Sequence, residues 1–278
     1  MEPLQIAAAL LSALLHAGWN AAVKADRDPA RAMTAQMALS GLIGLPGLVW
    51  TGLPAAAAWP WIAASTAINL LTVNALLRAY ALGGFGIVYP FGRAVAVVLV
   101  VPLAAVVAGD LPGPAAIAGV AMIAVSLAAL AGDGSRDGSL SRPALGWTLA
   151  AGAGTAAYIL CDAQGVRASG SPLAYGFVVA ATNGAAMCWR RRRAGPPWRQ
   201  LRGYWGIGLP TALAAMASYL LILWVWSGAP IAPAAALRDT SAVFAILIAV
   251  VWLKEAFTRR RLAAVLLAAA AVPLLRLG

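Results

Sequence analysis

Ten long apolar runs follow one another along this chain, and they constrain its fold more than any other feature. Each run approaches the about 20 apolar residues that a helix needs to cross a bilayer. Charged residues make up only 10% of the sequence, against roughly 25% in a soluble domain. So little charge cannot cover a water-facing surface, which excludes a soluble enzyme, a disordered chain and a fibrous protein. We therefore predict an all-α polytopic membrane protein with ten transmembrane helices, approximately at 4–23, 31–52, 59–80, 85–108, 113–132, 143–163, 172–190, 203–226, 230–253 and 258–277.

The distribution of positive charge predicts how these helices are oriented. The loops after the odd-numbered spans hold 16 of the 20 Lys and Arg residues, and the opposite side holds two, Arg167 and Arg276. The positive-inside rule places the odd loops in the cytoplasm. We therefore expect a multi-pass protein of the cell inner membrane with both termini in the periplasm. The net charge of +11 then needs no nucleic acid partner to explain it.

The two halves of the chain resemble each other in their charged residues. Arg93 is followed 17 residues later by Asp110, and Arg238 is followed 17 residues later by Glu255. This register predicts two five-helix repeats, at 1–135 and 143–278, joined by a polar linker at 136–142. An odd number of spans inverts the second repeat, an architecture of secondary transporters whose substrate site lies between the repeats. Chance similarity in an Ala- and Leu-rich sequence is the alternative.

Four motifs stand out within the spans: HAGWNAAVK at 16–24, VYPFGR at 88–93, YILCDAQGVR at 158–167 and ALRDTS at 236–241. Together with the acids Asp110 and Glu255, they resemble the EamA-type members of the drug/metabolite transporter superfamily, and the resemblance covers almost the whole chain. It implies two inverted five-helix repeats and the export of amino acids or related metabolites. Within the superfamily, the sequence looks most like the aromatic amino-acid exporter (YddG-like) branch.

The first span carries a polar stripe. Ser12, His16, Asn20 and Lys24 are spaced four apart, so they share one face of a helix, with Trp19 beside them. Lipid exposure of this face would be costly, so it faces protein or a water-filled cavity. We interpret His16, Trp19 and Asn20 as cavity-lining residues. The alternative is that the stripe only forms hydrogen bonds between helices, and Lys24 is better explained as an interfacial anchor.

Arg93 and Arg238 are the strongest candidates for substrate binding, because an arginine inside a membrane is rare and usually functional. Each lies about eight residues, or roughly 12 Å, into its span. Glycine and proline residues precede both, which predicts a disrupted helix start before each arginine. The depths of the spans predict that Asp162 pairs with Arg238 at one mouth of a central cavity, while Arg93 lies near His16 toward the other. Arginines that only bind backbone carbonyls are the alternative.

Aromatic and amide side chains complete the predicted cavity, since rings with polar tips suit a mixed apolar and charged solute. We expect Asn74, Tyr89, Tyr158 and Tyr219 to line it. For any one tyrosine, packing or a place at the membrane interface is the alternative. Further polar groups lie inside the spans, namely Asn69, Thr72, Tyr80, Tyr175 and Asn183.

Several chemistries are missing from the sequence. It has one histidine, two cysteines (Cys161 and Cys188) without metal spacing, and no P-loop. We expect no enzyme activity, no cofactor or metal, and no ATPase partner; the partners are small amino acids or metabolites and membrane lipid. A membrane-embedded enzyme, a channel and a lipid translocator of the same fold are the alternatives. Monomer and homodimer both stay open, and the first apolar run is expected to be a retained helix.

Overall fold

The computed structural model describes residues 1–83, 85–136 and 141–252, together with 259–260, 263, 266–267, 270–271 and 273–274. This part of the chain is helical and has no strand. Its α-helices are α1 Pro3–Ala25, α2 Pro29–Thr51, α3 Trp59–Leu82, α4 Phe85–Ala108, α5 Pro114–Arg136, α6 Arg142–Ser169, α7 Pro172–Arg190, α8 Pro197–Leu201, α9 Trp205–Gly228, α10 Ile231–Asp239 and α11 Ser241–Trp252.

Six helical segments are long and apolar enough to cross a membrane, which confirms the all-helical membrane class. They lie in α1, α2, α3, α4, α6 and α9, where the sequence predicts spans 1, 2, 3, 4, 6 and 8. Helices α5 and α7, and α10 with α11, occupy the places of spans 5, 7 and 9. The tenth predicted span lies largely outside the described residues, as do Glu255 and linker residues 137–140. The count of ten stays a prediction.

The helix of the ninth predicted span is interrupted after Arg238, whereas the prolines before Arg238 predicted an interruption before it. Pro230 precedes α10 and Pro233 lies in its first turn, where the backbone N–H groups have no partner within the helix in any case. The interruption comes at Thr240, directly after Arg238 and Asp239. Helix α4, in contrast, runs without a break from Phe85 to Ala108. The expectation of a disruption before each arginine is therefore wrong for both helices.

Short polar residues followed by proline begin several of the helices. Asp28 caps α2, because its carboxylate accepts a hydrogen bond from the backbone N–H of Arg31 at 2.9 Å. Ser171 caps α7 in the same way, just after Gly170 ends α6 in the left-handed region (φ 73°). These signals are local, which is why the sequence predicted most boundaries to within a few residues.

Helices α2 and α7 approach each other through small residues. A Cβ atom at Gly41 would lie 3.1 Å from the carbonyl oxygen of Ala180, and one at Gly184 would lie 2.7 Å from that of Met37. Glycine at these positions lets the two backbones come together, as in other membrane helix pairs. Gly44 allows the same approach, because a Cβ atom there would lie 3.2 Å from the carbonyl oxygen of Phe177.

The chain turns at one end of the helices are joined to each other by hydrogen bonds, and this end is basic. The ammonium group of Lys24, at the end of α1, donates to the carbonyl oxygen of Tyr80, at the end of α3, at 2.7 Å. The guanidinium group of Arg31, at the start of α2, donates to the carbonyl oxygens of residues 199, 200 and 202. The turns after α1, α3 and α7 therefore lie together. We call this the basic end (residues 24–31, 78–83 and 190–204).

The turns after α2, α4, α6 and α9 meet at the opposite end. Arg167 donates to the carbonyl oxygens of Trp226 and Ala229, and forms a 3.2 Å ion pair with Asp110. The same Asp110 oxygen accepts the backbone N–H of Ile231 at 2.9 Å, at the start of α10. Alternate turns therefore lie at alternate ends, and most of the basic residues collect at one of them.

The packing partners of the helices exchange between the two halves. Helix α1 packs against α9 and α11, while its counterpart α6 packs against α3 and α4. Helix α2 packs against α7, its own counterpart.

Candidate functional site

A cavity of about 140 Å³ lies where the two halves meet. Helices α1–α4, α6, α7, α9 and α10 contribute to its wall. Three of the ten cavity residues predicted from the sequence, Asn74, Tyr89 and Asp162, are not part of this wall. The other seven lie around it, and their role in substrate binding stays a prediction: they are His16, Trp19, Asn20, Arg93, Tyr158, Tyr219 and Arg238.

Some residues of the polar stripe on the first span line the cavity, and others form hydrogen bonds between helices. His16 and Asn20 face the cavity. Ser12 instead ties α1 to α9, because its hydroxyl donates to the carbonyl oxygen of Ser218 at 2.7 Å and the Ser218 hydroxyl returns the bond at 2.8 Å. Lys24 reaches a backbone carbonyl at the end of α3, as an anchor would.

Arg93 is neutralised by a buried acid from the other half. Its Nη1 donates to Oδ1 of Asp239 at 2.9 Å, and both side chains are buried. Its Nη2 contacts Nε2 of His16, and its guanidinium lies 5.2 Å from the centre of the Tyr89 ring. These contacts join α1, α4 and α10 and leave Arg93 with a counter-charge in direct contact.

Arg238 has no such counter-charge. It is 3% exposed, yet its Nε and Nη1 have no hydrogen-bond partner in the described structure. The ring of Trp226 lies 5.6 Å from its guanidinium carbon and supplies a cation–π contact. The ion pairs among the described residues are Arg93–Asp239 and Arg167–Asp110, so no acid lies within 4 Å of Arg238. Arg238 therefore lines the cavity and has two N–H donors without a hydrogen-bond partner in the described structure.

The expected pair of Asp162 with Arg238 is wrong. Asp162 is 1% exposed, and its Oδ1 accepts hydrogen bonds from the hydroxyls of Ser65 at 2.5 Å and Tyr175 at 3.1 Å. The sequence indicated how deep each residue lies along its helix, but not the direction in which its side chain points. For the same reason Arg93 and Arg238 line one cavity rather than its two mouths.

Asn74 and Tyr89 also have other roles than expected. The side-chain oxygen of Asn74 accepts a hydrogen bond from Arg190, near the basic end. Tyr89 lies beneath Arg93, and its hydroxyl donates to Oγ of Ser241 at 2.9 Å. Asn74 thus connects α3 to the end of α7, and the ring of Tyr89 packs against the guanidinium of Arg93.

Five cavity residues on α2 and α9 were not predicted from the sequence. Met33, Met37 and Met216 provide apolar wall, and Gln36 and Ser40 add polar groups. The amide of Gln36 donates to the hydroxyl of Ser40 at 2.9 Å. The signal that could have found them is Gln36 itself, an amide in an otherwise apolar helix.

Three cavity residues carry buried polar atoms without a hydrogen-bond partner in the described structure. These atoms are Trp19 Nε1, Asn183 Oδ1 and, on Arg238, Nε and Nη1. A buried polar group that lacks a partner costs free energy, about 1–3 kcal/mol in a typical case. These groups make the cavity the place where unsatisfied polar atoms of several helices lie together in the described structure. The described residues bring no three His, Cys, Asp or Glu side chains together in a group that could hold a metal ion.

Comparisons with known proteins agree with this architecture. Along nearly its full length, the chain superposes on a solved protein crystal structure with a TM-score of 0.72, covering 99% of this chain and 96% of that one. The two sequences are 16% identical, so the likeness shows the fold alone. No curated protein matches the sequence. Residues 142–277 match the model of the EamA-like transporter family, whose members are transporters rather than enzymes. This stretch, just under half of the chain, is therefore similar to the EamA-like transporter domain.

Proposed function

We propose that the chain is a secondary transporter that exports amino acids, above all neutral or aromatic ones, and related small metabolites. Transport of small metabolites follows from the family of residues 142–277. The amino-acid substrate rests on one observation, namely that Arg238 lines the cavity without an acid in contact and that its Nε and Nη1 have no hydrogen-bond partner in the described structure. The assignment to the aromatic amino-acid exporter branch is part of the same proposal.

A carboxylate suits the open donors of Arg238. Charge-assisted hydrogen bonds are roughly twice as strong as neutral ones, and a carboxylate can accept two of them side by side. Asn183 Oδ1 adds an acceptor for the group next to the carboxylate. A small molecule with a carboxylate and a neighbouring donor, as in an amino acid, would satisfy both residues.

An apolar side chain suits the rest of the cavity. Met33, Met37 and Met216 line it together with Val73 and Leu76. Methionine side chains are unbranched and polarizable, so they adapt to differently shaped apolar groups. This composition favours neutral and aromatic side chains over charged ones.

Alternating access between two inverted repeats would move the substrate. We propose repeats at 1–135 and 143–278 joined by residues 136–142, with ten spans in all. The exchanged packing of α1 and α6 supports this, since inverted repeats related by a two-fold axis produce it. The sequence has no P-loop, so the gradient of substrate or of protons would drive export.

We also propose that the basic end faces the cytoplasm of the cell and that both termini lie in the periplasm of an inner-membrane protein. A cysteine at Ala194, at the basic end, should resist an impermeant thiol reagent applied from the periplasm, while a cysteine at Gly228 should react. The reverse labelling pattern would overturn this orientation.

Flux measurements test the function. Purified protein in liposomes should accelerate counterflow of labelled threonine, methionine or phenylalanine, with saturation at high substrate concentration. Flux that does not saturate would indicate a channel instead, and movement of labelled phospholipid between leaflets would indicate a lipid translocator. The absence of flux for every amino acid tested would contradict the proposed substrate class.

A further inference from the structure

The loop between α7 and α9 concentrates the positive charge of the basic end. Residues 190–202 contain six arginines, and residues 190–204 contain no aspartate or glutamate. The turn after α1, at the same end, is more balanced, because residues 24–31 hold three basic and two acidic side chains. We call residues 190–202 the arginine loop. Among the described residues, none of its arginines forms an ion pair.

Hydrogen bonds from two other side chains fix the backbone of the arginine loop. The guanidinium of Arg31 donates to the carbonyl oxygens of residues 199, 200 and 202, and it lies 4.4 Å from the centre of the Tyr204 ring. The buried amide of Gln200 donates to the carbonyl oxygens of Arg191 and Gly195 at 3.2 and 2.7 Å. The loop is therefore an ordered surface, held from its inner side.

The arginine side chains of the loop differ in exposure. The guanidinium of Arg190 contacts the side-chain oxygen of Asn74, and Arg191 is half-buried. The other four are exposed, namely Arg192, Arg193, Arg199 and Arg202. Four positive side chains thus lie on one short, ordered segment without an acid in contact.

Three tryptophans mark the depth of the loop in the membrane. Trp189 lies at the end of α7, Trp198 lies in α8 and Trp205 begins α9, and each is more than half exposed. Exposed tryptophans at the ends of spans lie at the level of the lipid headgroups. Helices α7 and α9 occupy the places of two predicted spans, so the exposed arginines between them lie near the lipid phosphates.

We infer that the arginine loop binds the headgroup of an anionic phospholipid through its four exposed arginines. Guanidinium groups bind phosphate oxygens with paired N–H donors. A cluster of basic residues directly beside a membrane-spanning helix attracts anionic lipid. The lipid phosphate supplies the negative charge that the loop itself lacks. This site lies away from the cavity, so the inference goes beyond the proposed function and does not depend on which substrate is transported.

Two lipids that differ only in the headgroup test the inference on the unmodified protein. Dioleoyl phosphatidylglycerol is anionic, whereas dioleoyl phosphatidylcholine has the same acyl chains and no net charge. Native mass spectrometry of the protein in a neutral detergent counts the bound lipids at each lipid concentration. We expect phosphatidylglycerol to bind about tenfold or more tightly. Equal affinity for the two lipids would overturn the inference.

The double variant Arg192→Gln with Arg193→Gln locates the site. Its affinity for phosphatidylglycerol should fall about tenfold, while its affinity for phosphatidylcholine stays unchanged. The matched control is Arg27→Gln with Arg142→Gln, which removes the same charge from two exposed arginines outside the loop. An equal loss in both double variants would mean that only net charge matters and would overturn the site.

A second pair keeps the test available if the first double variant does not fold. Arg199→Gln with Arg202→Gln removes two charges from the other part of the loop and leaves in place the backbone carbonyls that Arg31 binds. The same loss of affinity is expected. Unchanged affinity in this folded variant would contradict a site formed by the four exposed arginines.

Competition experiments distinguish a lipid from other phosphate ligands. Glycerol 3-phosphate presents a phosphate without acyl chains, and a short single-stranded oligonucleotide presents a row of them. Neither should displace phosphatidylglycerol at an equal concentration, because neither enters the lipid layer in which the tryptophans lie. Displacement by glycerol phosphate would show that the loop is a site for a soluble phosphate compound, and displacement by the oligonucleotide would show a nucleic-acid site. Either result would overturn the assignment to lipid.

Discussion

Arg93 and Arg238 occupy matching places in the two halves, 145 residues apart, and both are buried at the same cavity. Their surroundings nevertheless differ. Arg93 has an acid at 2.9 Å, a histidine and an aromatic ring around its guanidinium. Arg238 has an aromatic ring at 5.6 Å and two donors without a partner in the described structure. Arg93 is held in an ion pair between helices, and Arg238 is the arginine that we propose binds the substrate.

The difference arises from a single acid. Asp239 follows Arg238 directly in the sequence, but its side chain points toward α4 and neutralises Arg93 of the other half. The position next to Arg93 is Ala94, so the first half supplies no acid in return. The two halves thus share the arginine but differ in the residue that follows it, which makes the cavity asymmetric.

The largest expected effect is on stability and concerns Arg93. Arg93→Met leaves Asp239 as an unpaired buried charge, which costs on the order of 3–5 kcal/mol. We expect a steep loss of monodisperse protein in size-exclusion chromatography and a lower Tm. The double variant Arg93→Met with Asp239→Leu removes both charges and should recover most of the loss. A single variant as stable as the wild type would show that the two arginines do not differ in this way.

Arg238 should show the opposite behaviour. Arg238→Met removes the proposed carboxylate contact, so substrate affinity should fall about 100-fold, while the Tm stays close to the wild-type value because no ion pair is broken. Affinity from calorimetry and Tm from thermal unfolding check the two parts separately. Arg238→Lys should restore part of the affinity, since it keeps the charge without the paired donors. Unchanged flux in a folded Arg238→Met variant would contradict the site.

Asp162 and Asp239 extend the comparison to the buried acids. Asp162→Asn keeps an oxygen that can accept from Ser65 and Tyr175, so the stability change should stay within about 1 kcal/mol. Asp239→Asn removes the counter-charge of Arg93 and should cost several times more. Thermal unfolding of both variants side by side measures the difference. A larger loss in Asp162→Asn would imply that Asp162, rather than Asp239, carries the important ion pair.

The smallest expected effect concerns Tyr89. Tyr89→Phe keeps the ring next to the guanidinium of Arg93 and removes the hydrogen bond to Ser241, which is worth about 0.5–1.5 kcal/mol. A slightly lower Tm with unchanged substrate affinity is expected. A large loss of affinity would mean that Tyr89 takes part in substrate binding after all.

Much of the fold could be predicted because its signals are local. Runs of apolar residues mark the helices, and residues such as Asp28 and Ser171 with a following proline mark their starts. The interruption at Thr240 had no such signal, since the prolines before Arg238 belong to the first turn of α10. Likewise the stripe of span 1 indicated which residues avoid lipid, but not that Ser12 binds another helix while His16 faces the cavity.

The sequence by itself determined the membrane class, the places of most helices and the separation of basic from neutral turns. It also identified Arg93 and Arg238 as candidates, because an arginine inside an apolar span is rare. Hydropathy and charge decide these features residue by residue, so no knowledge of distant neighbours is needed. Only the tertiary structure decided which acid meets which arginine, because that depends on how each helix is rotated about its axis. Adjacent residues on a helix point about 100° apart, so the packing of α10 against α4 directs Asp239 to Arg93 and Arg238 to the cavity.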